Sequence, residues 1–195
     1  VHLSRDAIVS TALELLTQYG LADVTMRRVA TNLGVAPGAL YWHVANKQSL
    51  IAAMTAEILS PVSGESTAEL VSSLQGELRR WRDGAEVAIA GAAFPESSAS
   101  ADLEELFITA LQKEAPAAST EDSVVAARTL IHYILGATFM EQSREQLSGA
   151  TPQGSSPSTA TPSPHSAPVD ATSVRAAELM VAGLRSLRSD HIHQN

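Results

Sequence analysis

Apolar side chains recur at helical spacing along almost the whole 195-residue chain, and no stretch alternates as a half-buried strand would. That feature confines the chain to the all-α class. Ile8, Ala12, Leu15, Leu16 and Tyr19 fall on one face of a first helix. Ser4 can cap its start, and Gly20 suits a left-handed residue just past its end. A short helix is predicted from Thr25 to Asn32, with Val29 and Leu33 inward. Gly34 then permits a sharp turn, and Pro37 takes the first position of the next helix, where its missing N–H costs nothing. Asn46 can cap a fourth helix bearing Leu50, Ile51, Met54 and Ile58, which Pro61 ends. Past Pro61 the pattern predicts helices near 66–82, 84–91, 99–114, 120–147 and 171–188.

Composition narrows the class further. With 45% hydrophobic and 17% charged residues the chain can bury a core, and with no cysteine it can form no disulfide, thiolate metal site or Cys nucleophile. Val1–Asp6 shows no basic stretch leading into an apolar core, so no secretory signal is expected. The apolar-rich stretch Val124–Met140 has 17 residues and carries Arg128 and His132. It falls short of the roughly 20 apolar residues of a membrane span. A cytoplasmic protein with no membrane partner is the expectation. Ser148–Asp170 stands apart: 14 of its 23 residues are Ser, Thr or Pro, too few apolar groups to offset the entropy of ordering. A mobile tether is expected there, and Pro-rich recognition by a partner is the lesser reading.

Charge is unevenly placed. Residues 1–50 hold four basic and three acidic side chains, a net of +1, whereas residues 51–195 hold nine basic and eighteen acidic, a net of −9. A near-neutral head on an acidic body suits a polyanion binder whose head alone touches the polyanion. The segment Thr25–Lys47, TMRRVATNLGVAPGALYWHVANK, places two short helices about a glycine turn, with Ala30, Leu33, Val35 and Leu40 set to lock them. That is a helix-turn-helix. Thr25 and Lys47 head helices, where phosphates are favoured. Tyr41, Trp42 and His43 each offer a polar atom to a phosphate. Arg27 and Arg28 are the fork-shaped donors that can pair with guanine.

The residues Gly20-Leu21, Val24-Thr25, Arg27, Val29-Ala30, Leu33-Gly34-Val35, Leu40-Tyr41-Trp42-His43-Val44 and Asn46-Lys47 together resemble the DNA-binding head of the TetR family. The Leu-Tyr-Trp-His-Val run is especially similar to the tetracycline-repressor branch. The match covers roughly residues 4–60; beyond them it is patchier, at Arg82–Val87, at His132-Tyr133 with Gly136, and in the Ser/Thr/Pro-rich segment. The resemblance implies an N-terminal three-helix head over residues 1–48 and a C-terminal helical ligand-binding and dimerisation bundle over 49–195. It implies a homodimer reading a palindromic operator of double-stranded DNA, released by an effector. Arg27 would contact a base, Pro37, Gly38 and Ala39 would face the groove, and Thr25, Tyr41, Trp42, His43 and Lys47 would hold the backbone. The tetracycline repressors carry glutamine and threonine at groove-facing positions where Pro37 and Ala39 offer no side-chain hydrogen bond. Readout here must lean on Arg27, Arg28 and contact with thymine methyls, so the operator should differ.

An effector pocket should be apolar with a few convergent polar groups. By helix position its candidates are Met54, Ile58, Leu74, Leu78, Trp81, Phe94, Phe107, Leu111, His132, Tyr133 and Phe139, most of which plain core packing would also explain. His132 resembles a pocket histidine of the tetracycline branch. The branch's magnesium-binding histidine is matched by Ala88, and a threonine by Gly91. A small apolar or aromatic effector without metal is therefore expected, and no cofactor. The predicted helix 120–147 is apolar nearly all round over Val124–Met140, and such a helix must be covered on every side. The last helix carries Val174, Ala177, Val181 and Leu184 on one face, with Ala176, Met180, Gly183 and Leu187 beside it. One core cannot easily take both faces, so a second subunit is expected. One helix of the tetracycline repressors, between the loop and the last helix, has no counterpart here.

No GxGxxG, GKS/T, GxSxG or HExxH occurs, so no enzyme is expected. The acidic neighbours Glu104-Glu105 and Glu121-Asp122 lie near helix starts, and His191-Ile192-His193 sits in a tail. The reading is a ligand-responsive repressor. Its alternatives are an activator with the same head, or a small-molecule-binding protein whose head does not read DNA.

Overall fold

The computed structural model describes residues 3–94, 98–149 and 169–187. Among them the chain is helical, with no strand: α1 Arg5–Tyr19, α2 Met26–Leu33, α3 Pro37–Leu40, α4 Lys47–Leu59, α5 Thr67–Arg79, α6 Gly84–Ala92, α7 Ser98–Glu114, α8 Thr120–Gly149 and α9 Val169–Ser186. A single 3₁₀ turn, Leu21–Asp23, joins α1 to α2. The chain forms two compact units. The first takes Val1–Val62 and Gly76–Leu103, and the second Ser63–Gln75 and Glu104–Asn195. The head expected over residues 1–48 lies wholly within the first unit.

Local signals set the ends of the early helices. Ser4 accepts from the Ala7 amide at 3.1 Å, Thr25 from the Arg28 amide at 3.1 Å, and Asn46 from the Ser49 amide at 2.8 Å. Each satisfies one of the amide donors a helix start leaves unpaired. Gly20 does end α1 at positive φ, 87°, but its ψ of 172° places it outside the left-handed helical region expected of it.

The core of the first unit is built from Ile8, Val9, Ala12, Leu13, Leu15 and Leu16 of α1 with Val24, Val29, Ala30, Leu40, Leu50, Met54 and Ile58. The buried face of α1 is thus wider than predicted, and it excludes Tyr19, which is 46% exposed. The Tyr19 ring lies 4.0 Å beneath the Arg28 guanidinium instead of in the core.

In the second unit α8 packs on α9. Ala126, Ala127, Leu130, Ile131, Ile134 and Leu135 are buried from α8, and Ala177, Val181 and Leu184 from α9. Leu70, Val71 and Leu74 of α5 and Phe107 and Leu111 of α7 are buried as well. Glu114 ties segments of this unit: its carboxylate accepts from the Thr67 amide at 2.6 Å, and its carbonyl from Arg185 Nε at 2.8 Å. By length and composition α8 would suffice to cross a membrane, a longer apolar element than the 17-residue stretch suggested. One side of it is buried in the second unit, while Val125, Tyr133, Phe139 and Met140 on the rest of its surface are exposed. α8 runs to Gly149 and α9 starts at Val169, so helix takes two residues at each end of the predicted tether. The remainder of that segment lies outside the described residues, as does the His191–His193 tail.

Candidate nucleic-acid interface and effector region

The two short helices of the head meet as their sequence predicts. Gly34 adopts φ 68°, ψ 28°, the left-handed conformation that a side chain would oppose, and the Val35 amide closes the turn on the Ala30 carbonyl at 3.0 Å. Ala30 and Leu40 are fully buried at the junction, while Leu33 and Val35 are half-buried. Beyond Leu40 the chain makes one further turn. Leu40 and Val44, four residues apart, are both buried, and this anchor drives the three residues between them outward. Tyr41 is 53% and Trp42 89% exposed, and His43 is exposed beside them. A tryptophan left in water on a folded head is costly unless a partner covers it.

The other predicted contacts lie on the same head. Pro37 and Gly38 are exposed and Ala39 half-buried at the start of α3. A side chain at Gly38 would meet nothing within 4 Å. Arg27 is exposed on α2, and Lys47 is half-buried at the first position of α4. Arg28 is placed differently from Arg27: it pairs with the Asp23 carboxylate and lies over the Tyr19 ring. Its fork is directed into the head, where it braces the α1–α2 junction.

α4 continues from the head into close contact with α6. The Thr55 hydroxyl donates to the Val87 carbonyl at 2.9 Å inside this seam. At Gly91 a Cβ would lie 2.0 Å from Thr55 Oγ1, so the helices approach as they do only because that residue is glycine. Ala88 is buried in the same seam. The positions that resemblance matches to a histidine and a threonine are thus filled here by helix–helix packing. At the N-terminus of α6, Asp83 is buried and left-handed, φ 57°, and accepts from the Leu21 amide at 2.7 Å. Next to it, partial desolvation pushes the carboxyl of Glu86, an exposed residue, above its usual range. The Asp83 carboxylate adds to that push, and Lys47 opposes it.

The predicted effector residues divide between the units. In the first, Met54, Ile58 and Leu78 are fully buried, and Trp81 and Phe94 half-buried. In the second, Leu74, Phe107 and Leu111 are fully buried, whereas His132, Tyr133 and Phe139 are exposed on α8, the latter two at 38%. The exposed side of α8 and α9 continues through Val125, Met140, Leu179 and Leu187. Sequence reasoning missed Gln75. It is wholly buried on α5, and among the described residues neither atom of its amide finds a hydrogen-bond partner. The available signal was its place among Val71, Leu74 and Leu78, a polar residue on an apolar helical stripe. Thr138 on α8 is likewise buried, with a hydroxyl that has no partner among the described residues.

A trihelical head with an exposed Tyr-Trp-His edge, in a chain that is otherwise helical among the described residues, defines a DNA-binding helix-turn-helix regulator of transcription. Residues 8–54 match the family described as bacterial regulatory proteins, tetR family. The chain belongs to the TetR family. It is 31% identical over 152 residues to the class D tetracycline repressor protein of Escherichia coli, covering 72% of this chain and 67% of that protein. It is similar in structure to BioQ, crystallised with its natural double-stranded DNA operator, at 32% identity and TM-score 0.76 over 95% of this chain and 99% of that one. ActR of Streptomyces coelicolor, in complex with (S)-DNPA, is similar at 25% identity and TM-score 0.73, covering 95% and 98% of the two chains.

Proposed function

We propose that this protein is a repressor that binds a palindromic operator as a homodimer and leaves it when a small apolar or aromatic effector binds the body. The observation that carries the reading is the outward turn Tyr41-Trp42-His43, held between the buried Leu40 and Val44. Residues 1–48 read the DNA, and 49–195 bind effector and the second subunit. Arg27 reads a base edge, Pro37, Gly38 and Ala39 lie against thymine methyls, and Thr25, Tyr41, Trp42, His43 and Lys47 hold phosphates. Arg28 supports the head through Asp23 and Tyr19. Such a protein works in the cytoplasm, where its operator is. The operator-bound BioQ and the ligand-bound ActR support both halves of the reading.

The exposed apolar side chains of α8 and α9 suit a dimer face. Between these helices runs a groove of about 370 Å³ lined in part by Val125, Ala126, Leu179, Gly183 and Leu187. A second copy would bury it. The effector is not a metal–tetracycline complex, because Ala88 supplies no imidazole. The buried amide of Gln75 provides a donor and an acceptor for one polar group on an otherwise apolar ligand.

Selection of duplexes from a random pool by the purified chain at about physiological salt tests the reading. A recovered palindrome with two half-sites is the expected result. Failure to enrich any sequence, repeated at low salt, would overturn it in favour of a small-molecule-binding protein. A reporter placed behind the recovered operator gives the sign of regulation.

A further inference from the structure

The first unit contains a cleft of about 780 Å³ on the outer side of α1, closed by α4 and by the end of α5 with Trp81. It has the size of a small-molecule site, for which about 300–1,000 Å³ is usual. Its floor is apolar: Val9, Leu13 and Ala53 are all buried beneath it. The indole of Trp81, half-buried, stands at its edge.

The rim carries the opposite chemistry. Asp6 and Glu14 project from α1, Glu57 from α4 and Glu77 from α5, against the two guanidiniums of Arg5 and Arg80. Arg80 is paired with Glu77 at 2.8 Å, which leaves one further guanidinium, Arg5, against three further carboxylates in the lining. An anion would meet this excess of negative charge, and a neutral apolar molecule would gain nothing from it. A cation with a flat or bulky apolar body satisfies every part: hydrocarbon on the floor, charge at the rim, and an aromatic face in Trp81.

We propose that this cleft binds a lipophilic organic cation, at a site made wholly by the first unit. The proposal does not depend on the DNA-binding reading, since it can be tested without DNA. Trp81, which sequence position assigns to the effector region, is its natural reporter.

The test uses the full chain with Trp42→Phe, which leaves Trp81 as the remaining one of two tryptophans. The probes are tetraphenylphosphonium and tetraphenylborate, ions of the same shape and opposite charge. Tetraphenylphosphonium should change Trp81 fluorescence saturably, and tetraphenylborate should bind at least about tenfold more weakly. Glu14→Gln with Glu57→Gln, both at exposed positions, should weaken phosphonium binding about tenfold and leave the circular dichroism spectrum unaltered. Each single variant should fall between. Absence of phosphonium binding, equal binding of the two ions, or indifference to both glutamate substitutions would overturn the proposal, the last by placing the cation elsewhere.

Discussion

The Asp83 carboxylate accepts a hydrogen bond from the Leu21 amide at 2.7 Å, joining the start of α6 to the 3₁₀ turn of the head across 62 residues of sequence. Asp83 holds a left-handed backbone to do so, and only this one non-glycine residue has positive φ among those described. Next to it Arg82 reaches the Gln18 carbonyl at 3.5 Å. The first turn of α6 is thereby fastened to the end of α1. This is strain retained for a contact that nothing local supplies.

Asp83→Ala should destabilise the chain by about 1–3 kcal/mol, because the Leu21 amide loses its acceptor and alanine tolerates the left-handed region poorly. Asp83→Asn keeps an acceptor oxygen and tolerates that backbone, so it should lose less. Urea denaturation of the two variants measures the difference. Equal losses would show that charge, not the hydrogen bond, fastens α6.

The neighbouring arginines of α2 should separate cleanly. Arg27→Ala is expected to lower affinity for the selected operator by about 1–3 kcal/mol and relax preference at one base position. Arg28→Ala should instead lower the stability of the head by about 0.5–1 kcal/mol, through the lost Asp23 pair and Tyr19 stack. Binding to operator and scrambled duplexes, alongside thermal melts, distinguishes the two. A base-specific defect in the Arg28 variant would contradict its placement.

Gln75→Leu should stabilise the ligand-free protein by about 1 kcal/mol, since it removes a buried amide that has no partner among the described residues. The same variant should release operator poorly when effector is added. Denaturation without ligand and release with ligand must move in opposite directions. A destabilised variant would mean that Gln75 is satisfied within the fold.

Gly91→Ala should cost about 1–3 kcal/mol through overpacking, given the 2.0 Å approach of its Cβ to Thr55 Oγ1. Thr55→Ala in the same chain should recover part of that loss by removing the hydroxyl. Additive losses in a double-mutant cycle would argue that α4 and α6 simply move apart.

Glu86 gives a pH dependence of defined sign. Its carboxyl is held above the usual range, chiefly by partial desolvation and then by Asp83, so the folded state holds the proton more tightly than the unfolded chain. Stability from this group is present below the ordinary carboxylate pKa and is lost as pH rises through the raised value. Glu86→Gln should therefore melt higher than the parent at neutral pH, with the gap closing on acidification. A gap that is independent of pH would remove ionisation as the cause.

Features that depend on neighbours three or four residues away are legible along the chain. The caps Ser4, Thr25 and Asn46, the turn at Gly34, the start at Pro37 and the projection of Tyr41, Trp42 and His43 follow from i to i+3 and i to i+4 contacts. Those contacts exist as soon as the helices form, and they were enough to make the head legible. Tyr19 fits its helical stripe and Arg28 has the right chemistry to pair with guanine, yet the two side chains are engaged with one another and, for Arg28, with Asp23, partners that lie on other elements. The Asp83–Leu21 bond, the Thr55–Gly91 approach and the isolation of the Gln75 amide likewise arise from the packing of segments far apart in sequence. Burial and hydrogen bonding between distant segments depend on which helix faces meet, and a pattern along one helix records only that a face is apolar, not what it will meet.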